Sequence, residues 1–302
     1  MINSKTLPIL TLVGVSLGYG LLNVGSRWLA VVFGTFTQVY FRILLAMILV
    51  VIIYFRSIRW SKLAHLPLRD WLIVILMGTA GYGFMVYAIV HGALQTSLLN
   101  VSVIFSTVPI FVYFLGVLFL RRPFRLAILG LLILSTWGVG TLSSGQLLPS
   151  LSSFGVGDWW VLLSTFFEAI WYLGMRLLDN RLRSPEVTFL AQAIAVLTIL
   201  PLALISREGF PSPPSLLSLP IILGLVIGVG MNIVAPLGTM FAFRHLDEVF
   251  ATQLFLTENV FSLLIGWFFY HEILSPTQLF GATIVVGSVY LMNKMQTSET
   301  AP

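Results

Sequence analysis

The sequence has no cysteine, which excludes disulfides, thiolate catalysis and thiolate-ligated metals. It is also poor in charge: Asp, Glu, Lys and Arg make up 9% of its 302 residues, against about 25% in soluble domains. So little charge cannot cover a water-exposed surface. With 58% hydrophobic residues and a mean hydropathy of +1.00, the solvent that fits is a lipid bilayer. The formal charge of +5 comes with no continuous basic face, so nucleic acid is not expected as a partner. No G-x-x-x-x-G-K-[ST] motif occurs, and His271-Glu272 lacks the second histidine of H-E-x-x-H. ATP binding by that loop and a zinc site are therefore not expected, and no cofactor is implied.

Long apolar runs are what the chain has in abundance. A spanning helix needs about 20 apolar residues, and ten windows qualify, at approximately 7–26, 34–55, 71–91, 97–119, 126–145, 159–175, 186–206, 219–243, 250–270 and 276–293. Backbone groups in lipid must bond internally, so these are helices; the short alternating segments of a membrane barrel are absent. The first run continues from Leu7 to about Gly25 without an A-x-A site, and reads as a span rather than a cleaved leader. Threading the ten spans puts Lys5, Arg56, Arg59, Lys62, Arg69, Arg121, Arg122, Arg125, Arg176, Arg181, Arg183, Arg244 and Lys294 on one side, and only Arg27 and Arg207 on the other. The positive-inside rule makes the first side cytoplasmic, with both termini there. The expected location is a bacterial inner (plasma) membrane, as a monomer or a homodimer.

A shift of 150 residues lays the first half on the second. Gly78 falls on Gly228, Gly116 on Gly266 and Arg42 on Gln192. Five spans is an odd number, so the second copy enters the membrane from the opposite side, a recurring transporter design. The expected fold is all-α and membrane-embedded: ten transmembrane helices as two inverted five-helix repeats around a central cavity. Residues 1–145 form the first repeat, 146–157 a linker, 158–294 the second repeat and 295–302 a cytoplasmic tail.

The motif order then becomes specific. Gly18-Tyr19-Gly20 is followed by Arg42 and Ala46, Ala93-Leu94, Pro109-Ile110, Gly116, Gly130 and Gly138-Val139. The second half has Thr257-Glu258-Asn259-Val260, Gly266, His271-Glu272, Gln278 and Gly281. Over nearly its whole length the chain resembles the drug/metabolite transporter superfamily, EamA type, with two EamA repeats. The resemblance implies spans 1–4 and 6–9 near a central cavity, spans 5 and 10 at the periphery, and secondary transport, often export of amino acids or related metabolites. Arg121 stands where the first repeat of this family often has Glu, and Asn259 where the second often has Pro.

Polar groups deep in spans are costly, about 2.5–3.5 kcal/mol for a central charge on insertion scales, and should face the bundle interior or water. Glu168 is read either as a proton-coupling or amine-binding carboxylate or as half of an ion pair with Arg42. Arg42 suits a substrate carboxylate, although the resemblance makes it a framework residue. Glu258 and Gln253 are candidates for the cavity wall or for interhelical hydrogen bonds. Asn232, with Pro236, is expected to interrupt the eighth span. Tyr82, Tyr87, Asn100 and Trp171 complete the expected substrate site, where aromatic faces attract ammonium groups. Gly14-Val15-Ser16-Leu17-Gly18 matches G-x-S-x-G but lies inside a span, where it reads as packing rather than catalysis. The expected function is a non-enzymatic secondary exporter of small metabolites, amino acids first, by alternating access with or without proton coupling. A non-transporting receptor or assembly factor, and an intramembrane serine hydrolase, are the competing readings.

Overall fold

The structure, a computed structural model, describes residues 5–149, 154–208, 218–271 and 273–299. Among them there is no strand. The long helices are α1 (Thr6–Leu29), α2 (Thr35–Tyr54), α3 (Leu68–Ala93), α4 (Leu98–Phe105 continued by Val108–Phe119), α5 (Leu126–Ser144), α6 (Val156–Leu178), α7 (Ser184–Ile205), α8 (Leu219–Phe243), α9 (Glu248–Leu254 continued by Thr257–Tyr270) and α10 (Pro276–Glu299). The first nine are long and apolar enough to cross a membrane. α10 has 24 residues, is less apolar, and runs past the span end expected near 293. Outward faces are apolar: on α2, Leu45, Ile48, Leu49, Ile52 and Ile53 are exposed at helical spacing, a stripe that lipid accommodates and water does not. The protein is an all-α, multi-pass membrane protein.

The packing follows the 150-residue shift. α1 packs on α8 as α6 packs on α3, and α1 touches α9 as α6 touches α4. Two pairs are their own equivalents, α2 with α7 and α5 with α10. Both are antiparallel. Arg59, after α2, bonds Glu186 at the start of α7, while Glu208, after α7, accepts from the Thr37 amide at the start of α2. Likewise Ser135 meets Ser288 at 2.7 Å while Gly138 lies against Val285. Equivalent helices that neighbour each other in opposite directions require halves threaded in opposite senses.

The helix irregularities also repeat. Ser97 caps α4 through the Asn100 amide, and Asp247, at the equivalent position, caps α9 through the Val249 amide. α4 breaks at Ser106-Thr107, where Pro109 has no N–H for the Phe105 carbonyl. α9 breaks at Phe255-Leu256, one residue before the equivalent position and without a proline; instead the Asn259 side chain donates to the Leu256 carbonyl at 3.2 Å. Arg121, the other departure from the family pattern, sits at φ 55° where the chain turns after α4. α3 widens into a π-turn over Thr79–Phe84, a feature common at functional sites.

The expected interruption of α8 does not occur, and the helix runs unbroken through Asn232 and Pro236. Pro236 cannot bond the Asn232 carbonyl four residues back, but Gln192 Nε2 of α7 donates to that oxygen at 2.7 Å. With the orphan satisfied from outside, the helix has no reason to break.

α5 and α10 meet closely through glycine. A Cβ on Gly281 would lie 2.5 Å from the Leu142 nitrogen and 2.8 Å from the Gly138 carbonyl oxygen, both backbone atoms that cannot yield cheaply. Gly281→Ala is expected to destabilise the protein by about 1–3 kcal/mol, seen as a lower unfolding temperature in detergent. An unchanged transition would mean that this pair is loosely packed.

Candidate functional site

Between the halves lies a cavity of about 470 Å³, within the size range of small-molecule sites. Its walls come from α1, α2, α3, α4, α6, α8 and α9. Among the described residues, α5 and α10 contribute nothing to it. α7 stands behind the wall, holding Asn232 through Gln192. Six of the residues picked from sequence line it: Arg42, Tyr82, Glu168, Trp171, Asn232 and Glu258.

Glu168 Oε1 accepts from the Tyr172 hydroxyl at 3.1 Å, one helical turn away, while its Oε2 is shielded and has no hydrogen-bond partner. Glu258 Oε1 accepts from Asn23 Nδ2 at 3.2 Å, and Asn23 also reaches Ser262. The ion pair expected between Glu168 and Arg42 is not formed. Arg42 Nη1 donates to Ser26 Oγ at 2.9 Å, its stem lies on Gly228, and its buried Nε is unpartnered. Tyr82 donates to Asn232 Oδ1 at 2.9 Å and meets Trp171 edge-on with ring centres 5.6 Å apart. Tyr82 and Asn232 are equivalent under the 150-residue shift, so this bond joins the halves across their own symmetry.

The other three candidates lie elsewhere. Asn100 is buried and donates to Asp158 Oδ1 at 2.8 Å, joining the starts of α4 and α6. Gln253 is fully buried and donates to Ser135 Oγ at 2.6 Å, joining α9 to α5. Tyr87 stacks on His91 at 4.4 Å and packs against Phe36 and Trp160 outside the cavity. Tyr19 and Asn23 of α1 were missed as wall residues. They sit four apart on one helical face, a spacing visible in the sequence. Ser16 is fully buried and its hydroxyl donates to the Leu12 and Leu254 carbonyls, so G-x-S-x-G here is a packing motif.

The cavity is asymmetric along the membrane normal. Asn23, Ser102, Glu258 and Asn259 also line a second, more open hollow of about 340 Å³ between the middle of α9, the C-terminal end of α5 and the start of α10. The central space leads out in that direction. The opposite, arginine-rich face is closed by ion pairs. Arg122, after α4, donates to Glu248 at 2.6 Å and pairs with Asp247 at the start of α9. Arg176 of α6 lies 3.5 Å from Glu248 and donates to the Phe243 carbonyl at the end of α8. Arg244 donates to Asp179 at 2.8 Å. Burial pushes the Arg122 guanidinium below its ordinary value, and the Glu248 charge opposes that shift. Alongside, Arg59 grips Glu186 with two bonds of 2.7 and 2.6 Å, and Arg181 holds Asp70 at 2.8 Å.

Comparison with known proteins agrees with this architecture. A crystal structure of a protein superposes with a TM-score of 0.79 over 99% of each chain at 13% identity, a likeness of fold alone. The pseudopaline exporter CntI of two Pseudomonas aeruginosa strains is 26% identical over 250 residues, covering 78% of this chain and 82% of the relative. The EamA-like transporter family matches twice, over residues 6–144 and 155–294. A pair of such matches on inverted helical halves around one cavity is the signature of a membrane transporter rather than an enzyme, and this chain belongs to the EamA-like transporter family.

Proposed function

We propose that this protein exports amino acids or closely related small metabolites by alternating access, as a secondary carrier of a bacterial inner membrane. The observation that carries the reading is the central cavity, with its unpartnered Glu168 and Arg42 atoms held between two inverted halves. An ammonium group complements the first and a carboxylate the second, and aromatic faces around them suit the ammonium. The similarity to an exporter supports the direction of transport. By the positive-inside rule the arginine-rich face is cytoplasmic, so the ion-paired closure lies on the inner side and the hollow leads outward. Inverted halves exchange conformations to open the opposite face, and the breaks in α4 and α9 are where these helices bend most readily.

Glu168 is also the group we assign to proton coupling, exchanging a proton for the substrate amine. It is faced by Tyr172 on its own helix, by Tyr19 of α1, Tyr82 of α3 and Glu258 of α9. The test is counterflow in proteoliposomes across amino acids, sugars and nucleotides, with and without a pH gradient. Amino acids are expected to move, and to move faster with the gradient. Sugars or nucleotides moving while amino acids do not would overturn the proposal.

A further inference from the structure

The charged groups of the cavity are unevenly divided. Among the described residues that line it, Arg42 is the only cation, and it belongs to the first half. Glu168 and Glu258 are the only anions among those described residues, and both belong to the second half. Neither carboxylate has a cationic side chain within ion-pair distance among the described residues; ion pairs such as Arg59–Glu186, Arg122–Glu248, Arg181–Asp70 and Arg244–Asp179 lie toward the arginine-rich face. Their neutral partners are sparse: Tyr172 for Glu168 and Asn23 for Glu258. A buried charge without a counter-charge is expensive, and three such charges facing one space define the complement of a ligand.

We infer that the cavity selects an amino acid with a second amino group on its side chain. Such a ligand carries two ammonium groups for the two carboxylates and one carboxylate for Arg42. This rests on the amino-acid reading of the site and narrows it. Tyr19 and Tyr172 stand beside the acids and add aromatic faces there, which attract ammonium and not carboxylate. The asymmetry sets the orientation: the α-carboxylate toward α2, the two amines toward α6 and α9. Positions equivalent to the acids are Gly18 and Val108, and the equivalent of Arg42 is Gln192. The charge pattern is therefore not imposed by the repeat and belongs to this site.

The experiment compares three radiolabelled probes in proteoliposome counterflow: lysine, norleucine, which lacks only the side-chain amine, and cadaverine, which lacks only the carboxylate. Lysine is expected to exceed each of the others by about tenfold or more, since a site built for a polar group rejects the analogue that lacks it. Glu258→Gln should erase the lysine–norleucine difference while the lysine–cadaverine difference persists, and Arg42→Gln should do the reverse. Glu258→Asp, keeping the charge, should restore discrimination, which a purely structural role for the residue would not require. Norleucine moving as fast as lysine in the wild type would sink this inference and leave the amino-acid proposal standing. If none of the probes or other amino acids moves in a folded, monodisperse preparation, both fall.

Discussion

Glu168→Gln should lower counterflow of the preferred amino acid by about thirtyfold or more, the equivalent of about 2 kcal/mol at the low end of what losing one partner of a buried charge pair costs. It should also remove the response to a pH gradient. The substitution is nearly isosteric. The retained amide oxygen still accepts from Tyr172, so this side chain's one hydrogen bond among the described residues survives. What disappears is the charge at Oε2, which nothing else in the described protein uses. Folding should therefore be preserved or slightly improved, because the substitution removes an unpaired carboxyl charge from a cavity. Unfolding temperature in detergent separates the two effects. A Glu168→Gln protein that transports normally and keeps its pH response would take this residue out of the mechanism.

The second large effect is at the closed face. Glu248 is fully buried and holds Arg122, which follows α4, and Arg176 of α6. Removing one member of a buried pair costs about 3–5 kcal/mol, because the other is left uncompensated. Arg122 is partly exposed and retains Asp247, so Glu248→Ala should fall at about 3 kcal/mol, the lower end of that range. The absence of native cysteine supplies a clean assay. Met175 lines the cavity just inside the ion pairs and is nearly inaccessible. A Met175→Cys thiol should resist a membrane-impermeant reagent applied from the arginine-rich side, and react once Glu248→Ala is added. Glu248→Asp should restore much of the protection. If the thiol is equally shielded in the Glu248→Ala background, these ion pairs do not hold the face closed.

Much of this organisation can be read from the residues alone, for identifiable reasons. The spans and their order follow from a bilayer that leaves backbone groups no partner but the helix, so hydropathy is nearly sufficient. The repeat is visible because both halves must satisfy the same lipid thickness. Arg42, Glu168, Asn232 and Glu258 point inward because a polar group in lipid has nowhere else to go. That rule does not distinguish water from another side chain. Asn100 and Gln253 obey it by bonding Asp158 and Ser135, 58 and 118 residues away, and nothing local announces such partners. The same ignorance of partners made Pro236 look like a helix break, since the rescue of the Asn232 carbonyl comes from α7. Conversely, the break in α9 has no proline to mark it and is held by the Asn259 side chain.

The closure of one face by ion pairs has a consequence for how this carrier can be retuned. Under the 150-residue shift, Arg176, Asp179, Arg244, Asp247 and Glu248 correspond to Ser26, Leu29, Leu94, Ser97 and Leu98, and only Arg122 has a charged counterpart, Glu272. In the alternating-access cycle proposed above, the outer seal would draw on these mostly oily and hydroxyl positions, with Glu272 the one charge among them. Contacts of that kind yield in small steps when one hydrocarbon replaces another of similar size, whereas a charge cluster fails abruptly when any member is lost. Variants that adjust the dwell time of each posture by degrees are therefore to be sought on the outer rim, and those that switch the carrier outright on the inner one.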